Sequence, residues 1–274
     1  NVNWHTVKEF LGVMSKKPLG VNFGTLVGHT TVRQALIGET DRSLTQNELK
    51  VFISVLERAI KEGAFGFSTG LGYPPAHHAA YNEIKDLVGI TAELNGLYAT
   101  HLRHRKEGLL SAVNETIDVA KETGAAVQIN HFQPHIGFEK NYEQSLDLIS
   151  ENADKADVHF DIYPFDESII TIDVILPRWA QSNDGELMLK NIQEPTLREK
   201  VLKELPKIKG EEITIVSAPG HEYLIGKSLK EFSENRNLTS HQGLLTLMAD
   251  TSFRAAVSYK NINIKAVKNF LSHE

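Results

Sequence analysis

The sequence contains no cysteine. That excludes disulfides and thiolate metal ligands, so any metal must be held by His, Asp, Glu or a modified Lys, and it fits a reducing cytoplasm. No apolar run approaches the roughly 20 residues that a membrane-spanning helix needs, and no secretory signal is visible. A basic excess is missing too: 29 Lys and Arg stand against 35 Asp and Glu, a formal net charge of -6. This argues against nucleic acid as the main partner, because nucleic-acid binders carry a basic footprint. The sequence also has no initiating methionine, and it stops at Ser272-His273-Glu274 directly after a helical pattern. Both ends are expected to be cuts through a longer protein; the alternative is a complete domain that was processed or stripped of a tag.

What is present is a globular composition. Apolar residues make up 41% and charged residues 23%, enough for a core and a soluble surface in a chain of 274 residues. That length suits one α/β barrel. Short apolar runs alternate with longer amphipathic stretches, the pattern of repeated βα units on a parallel sheet. Strands are expected over 22–27, 64–68, 97–101, 126–131, 158–163, 213–217 and 253–257, with helices over 46–61, 82–94, 109–123, 142–152, 196–205 and 262–271. Thr45 and Glu48 form a capping box before the first of these helices, Gly124 stands where a helix-ending glycine belongs, and Pro206 stops the fifth. The stretch 166–195, with Pro177, Trp179 and Asp184-Gly185, breaks the rhythm. A loop or small insertion over the active face is expected there.

Polar residues collect after the strands, at Thr100-His101-Leu102-Arg103, Asn130-His131 and Asp161-Ile162-Tyr163-Pro164. In a barrel the C-terminal strand ends form the active face. His101 and His131 are thirty residues apart, one βα unit, so both can top neighbouring strands and converge on one ion. Neutral imidazole is a good zinc ligand, but a catalytic zinc normally takes three protein ligands and a water. The spacing serves equally well two histidines that cap strands and hydrogen-bond within the core. His77-His78 and His135 lie near strand ends too, where solvated surface is the simpler reading, and His5, His159 and His241 carry no functional reading. The string Gly63 to Pro75 has glycines at 63, 66, 70 and 72. It lacks the Gly-Lys-Ser/Thr ending of a phosphate loop and the dinucleotide fingerprint, and Ser68 lacks the G-x-S-x-G elbow of a nucleophile. A strand turning sharply into an active-face loop accounts for it better.

Taken together, Gly63 to Pro75, Leu97-Tyr98-Ala99-Thr100-His101-Leu102-Arg103, Val127-Gln128-Ile129-Asn130-His131 and Asp161-Ile162-Tyr163-Pro164-Phe165 resemble the N-acyl-D-amino-acid deacylases (D-aminoacylases) of the amidohydrolase superfamily. Gly28-His29 to Arg33 and Leu176-Pro177-Arg178-Trp179 look like two further strings of that family. The resemblance implies a TIM-like (β/α) barrel of the metal-dependent hydrolase type, here its central part over 1–274 and incomplete at both ends. It implies Zn2+ held by His101 and His131, a substrate placed by Tyr163 and Arg103, and hydrolysis of the amide bond of an N-acyl-D-amino acid. Three departures stand out. Gln133 replaces the family's lysine two residues beyond the second histidine, and His77-His78 stand where the family has a glycine. The early H-x-H motif, the cysteine ligand and the later S-D-G motif, whose aspartate is the general base, do not occur; that base is expected beyond Glu274, so the chain alone should be inactive. Another amidohydrolase activity, on cyclic amides or D-dipeptides, and a non-catalytic barrel remain open alternatives.

Overall fold

A computed structural model of the chain describes residues 4–38, 40, 42–73 and 76–272; Pro74 and Pro75, at the end of the glycine-rich string, lie outside the described residues. The chain divides into two compact units, Asn1–Tyr163 and Pro164–Glu274.

The first unit runs α1 (Val7–Met14), β1 (Val27–Gly28), α2 (His29–Ile37), α3 (Gln46–Lys61), β2 (Gly66–Gly70), α4 (Tyr81–Glu93), β3 (Leu97–His101), α5 (Leu109–Thr123), β4 (Ala126–Ile129), α6 (Glu139–Glu151) and β5 (Val158–Phe160). Its five strands pair in parallel and in chain order. Parallel neighbours need a crossover, which the intervening helices supply. The class is therefore α/β, with an open sheet whose edges are β1 and β5 among the described residues. Helices α3 and α5 have the bounds read from sequence; α3 opens on the Thr45–Glu48 capping box and α5 closes on Gly124 in the left-handed conformation. Strand β2 starts two residues later than expected. At Gly66 the backbone lies at φ +150°, and a Cβ would sit 2.0 Å from the Leu97 carbonyl oxygen. Only glycine lets β2 lie this close to β3.

Register partners Phe67, Tyr98 and Val127 are buried on one face of the sheet, against Phe52 and Leu56 of α3 and Ile84 and Leu87 of α4. Burying each such side chain stabilises the fold by roughly 1.5–3 kcal/mol. Because strand side chains alternate, Ser68, Gly70, Ala99, His101 and Gln128 fall on the opposite face. A buried ionic cluster joins α2 to α4. His29 Nε2 lies 2.8 Å from Glu83 Oε1, and Arg33 Nε donates to the same oxygen at 3.1 Å. Their side chains are only 0%, 5% and 1% exposed for His29, Glu83 and Arg33. Burial pushes the Glu83 carboxyl up, but the His29 and Arg33 contacts outweigh it and leave it below the usual carboxylate range.

The second unit contains β6 (Ser168–Thr171), α7 (Gly185–Gln193), α8 (Pro195–Glu204), β7 (Ile213–Ser217), α9 (Leu229–Glu234), α10 (Ser240–Asp250), β8 (Ala256–Tyr259) and α11 (Ile264–Leu271). Its sheet is antiparallel, in the order β6-β8-β7. This corrects the reading of 213–217 and 253–257 as further parallel strands. An apolar run of four or five residues has the same pattern in either kind of sheet, and only pairing decides. The stretch 166–195 is not a plain loop: it holds β6, α7 and two 3-10 turns at Ile172–Ile175 and Arg178–Ala180. The break in the parallel rhythm begins at Pro164 and continues through the rest of the chain, around a core that includes Ile172, Ile192, Ile213, Ile215, Phe232 and Leu244.

Two outcomes are expected from urea unfolding of the chain. Gly66→Ala should destabilise it by on the order of 3 kcal/mol, because the added methyl meets backbone. The contribution of Glu83 should depend on pH with a definite sign. A carboxyl held below its unfolded value of 4.5 stabilises fully above that value, and the contribution is lost as pH falls through the lower folded value. The gap in stability between the unaltered chain and Glu83→Gln should therefore be largest near neutrality and shrink below about pH 4.5.

Candidate functional site

The C-terminal ends of β3 and β4 bring two imidazoles together. Parallel pairing sets Thr100 beside Ile129, and the Asn130 amide extends the ladder by donating to the Thr100 carbonyl at 2.9 Å. His101 is the last residue of β3, and His131 follows β4 by two residues. His101 Nδ1 and His131 Nε2 are 3.3 Å apart, with ring centroids at 4.7 Å. Matched strand ends put both rings on one side of the sheet edge.

His131 has a left-handed backbone, φ +42°, unusual for a residue with a Cβ. Its neighbourhood enforces this: the His131 amide donates to the Asp161 carboxylate, the Phe132 amide to the Asp161 carbonyl at 2.8 Å, and the Gln133 amide to the His131 carbonyl at 2.8 Å. Strain of this kind, of order 1–3 kcal/mol, persists only where surrounding contacts over-determine it. Glycine makes room on the other side. A Cβ on Gly72 would lie 2.8 Å from both Cδ2 and Nε2 of His101, while the Tyr73 ring packs at 4.4 Å from the same imidazole. The glycine-rich string therefore serves two close approaches, Gly66 to β3 and Gly72 to His101.

Both imidazoles are held neutral. Burial pushes His101 down to about 2, assisted by the charges of Arg105, His131 and His135. Burial also lowers His131, reinforced by Arg105 and partly opposed by Asp161. Neutral rings have the lone pairs that a metal ligand needs. The His131 Nδ1 is buried without a hydrogen-bond partner among the described residues. Tyr163 is half-buried, and its hydroxyl is pushed up by burial, so it stays protonated and can donate.

Arg103, expected to bind substrate, is engaged in the scaffold. Its guanidinium grips both carboxylate oxygens of Glu115, at 3.0 and 2.7 Å, and donates to the carbonyls of His77 and Ala79. That pins the loop after β3 to α5 and to the turn after β2. Gln133 is fully buried, and neither its Nε2 nor its Oε1 has a hydrogen-bond partner among the described residues. His77 packs against His78 and His104, with centroids at 4.7 and 6.1 Å. His159 pairs with Asp157, and His241, in the second unit, with the Pro206 carbonyl. Ser68 lies half-buried, its hydroxyl 3.5 Å from the Val27 carbonyl. Among the described residues, no group of three or more His, Cys, Asp or Glu is placed to hold a metal. Sequence reasoning noted Gly72 only as one of four turn glycines and His135 only as near a strand end, and it missed Arg105. The signal for Arg105 was a second arginine two residues after Arg103, hidden by the motif that singled out Arg103.

No family model matches the chain. Among curated proteins, the D-aminoacylase of Alcaligenes xylosoxydans xylosoxydans is 33% identical over 161 residues, 57% of this chain and 33% of that protein. The N-acyl-D-aspartate deacylase of the same organism is 34% identical over 164 residues, 58% of this chain and 32% of that protein. Among solved structures, N-acyl-D-glutamate deacylase from Bordetella bronchiseptica, complexed with zinc and a phosphonate inhibitor, superposes with a TM-score of 0.75 at 22% identity, over 98% of this chain and 50% of that one. A D-aminoacylase structure gives 0.73 at 24% identity, over 97% and 49%. The chain thus spans about a third of the curated relatives it matches and half of the solved ones. Over more than half of its length the chain is similar in sequence to a D-aminoacylase and an N-acyl-D-aspartate deacylase, and over nearly all of it the fold is similar to that of solved N-acyl-D-amino-acid deacylases.

Proposed function

We propose that the chain is the central part of the catalytic domain of a cytoplasmic, zinc-dependent hydrolase that cleaves the amide bond of N-acyl-D-amino acids, and that its parallel sheet is a segment of a (β/α) barrel. The observation that carries this reading is the pair of imidazoles, His101 buried and His131 half-buried, 3.3 Å apart at adjacent strand ends. Two nitrogens each about 2.05 Å from one tetrahedral zinc stand about 3.3 Å apart, so the pair has the spacing of two ligands of a single ion. His101 and His131 would hold that ion; the remaining ligands come from outside this residue set. The relatives whose names describe deacylation of D-amino acids support the substrate class.

When bound, the metal supplies a Lewis acid for the acyl carbonyl and a water acidic enough to be deprotonated near neutral pH. The chain's own residues do the rest of the work visible here. Gly72 and Tyr73 fix the plane of the His101 ring, and the left-handed turn fixes His131, so neither ligand has to reorganise. Tyr163, a protonated phenol, can donate to the acyl oxygen as negative charge develops on it. By resemblance, proton transfer belongs to the aspartate of an S-D-G motif that this sequence does not contain.

Two measurements test the proposal. Zinc-supplemented full-length protein should hydrolyse N-acetyl-D-amino acids, whereas the 274-residue chain should stay at background. Absence of the proton-transfer group alone costs on the order of 10²–10⁴ in rate. Equal turnover by the two would show the reading of an incomplete site to be wrong, and His101→Ala or His131→Ala in the full-length protein should abolish turnover. Gly72→Ala should force the His101 ring aside. Metal titration of that variant should show zinc affinity lowered by about 10- to 100-fold, the cost of disturbing a ligand's support; unchanged affinity would count against His101 as a ligand.

A further inference from the structure

The loop after β3 carries a second arginine whose surroundings differ from those of Arg103. Arg105 is half-buried, and among the described residues no carboxylate pairs with its guanidinium. Its position is nevertheless set. The hydroxyl of Tyr142, a fully buried residue of α6, donates to the Arg105 carbonyl at 2.9 Å, and the same phenol faces the guanidinium. The Tyr142 ring packs at 5.0 Å from Phe132 and 6.2 Å from His135, so the tether anchors Arg105 to the loop that carries His131. Arg105 follows His101 by four residues on the loop after β3, and Phe132, on which Tyr142 packs, is next to His131, so the tether holds Arg105 by the two strand ends that carry the pair. A half-buried cation without a counter-ion is costly to hold, and an arriving anion relieves that cost.

An N-acyl amino acid brings such an anion in its α-carboxylate. Three neighbouring polar residues of this chain are poorly suited to receive it. Arg103 is already paired with Glu115, Gln133 is neutral, and Lys106 is exposed to solvent. We propose that Arg105 binds the α-carboxylate of the substrate and so places the acyl amide over the His101–His131 pair. This rests on the reading of the substrate as an N-acyl-D-amino acid. A planar guanidinium, offering two parallel N–H groups to a carboxylate, is the side chain best shaped for the task. It also means that the neighbouring arginines divide their work: Arg103 fixes the loop, and Arg105 faces the ligand.

The test uses the full-length protein, unaltered and as Arg105→Gln and Arg105→Lys. Three compounds are compared: N-acetyl-D-leucine, its neutral amide N-acetyl-D-leucinamide, and N-acetyl-D-aspartate α-amide, which has only a side-chain carboxylate. Arg105→Gln should raise KM for N-acetyl-D-leucine by about tenfold or more, the scale of one charge-assisted pair. Activity on the leucinamide should hardly change, and Arg105→Lys should recover part of the loss. A loss equal for acid and neutral amide, or no loss, overturns the assignment. A loss confined to the aspartate α-amide also overturns it, by moving the contact to the side-chain carboxylate. Equilibrium binding of the same compounds to metal-stripped protein separates this proposal from the hydrolase reading. Carboxylate-dependent binding that disappears in Arg105→Gln, in a protein that hydrolyses none of the three, upholds Arg105 and removes the reaction. Turnover together with binding indifferent to Arg105 does the reverse.

Discussion

The parallel register between β3 and β4 is the constraint on which the site depends. Side chains at matched positions of neighbouring parallel strands point the same way, and the strand ends lie one strand spacing apart. With Thr100 opposite Ile129, residues 101 and 131 have to emerge side by side. The glycines of β2 protect that register from the other side. Gly66 lets β2 approach β3 closely, and Gly72 leaves the space that the His101 ring fills. The interior ionic cluster of His29, Arg33 and Glu83 then ties α2 to α4 behind the sheet. Packing, register and site are one construction in this unit.

The electrostatics of the histidine pair follow from where that construction puts them. His101 is buried and His131 half-buried, so the protonated form of each loses solvation, and Arg105 adds a like charge nearby. Both effects favour neutral imidazole, the form with a lone pair to give. The backbone of His131 pays for its placement with a left-handed conformation held by Asp161. Burial and charge act on both side chains, and backbone strain on His131 alone.

The two arginines after β3 show how chemistry and scaffold can be confused in a sequence. They are separated by one residue, yet one grips Glu115 and two carbonyls while the other has no carboxylate partner among the described residues. Nothing in their side chains distinguishes them. What differs is the local loop geometry, which turns Arg103 toward α5 and tethers Arg105 beside Tyr142.

The sequence by itself determined the α/β class of the first unit, its helices α3 to α6 with the Thr45–Glu48 and Gly124 caps, and the position of His101 and His131 after successive strands, but not α1 or α2. Those features are local: helix periodicity, the Thr45–Glu48 box and the Gly124 stop act through residues a few positions apart. Only the tertiary structure decided which apolar runs pair with which. Ile213–Ser217 and Ala256–Tyr259 read like barrel strands, yet they pair antiparallel with each other and with Ser168–Thr171 in a separate unit. It also decided that Arg103 is scaffold, that Gly72 must be glycine, and that the imidazoles stand 3.3 Å apart. Each of these is a contact between residues distant in the chain or across a turn. Its energy depends on distance and burial, which are properties of the folded chain rather than of any window of its sequence.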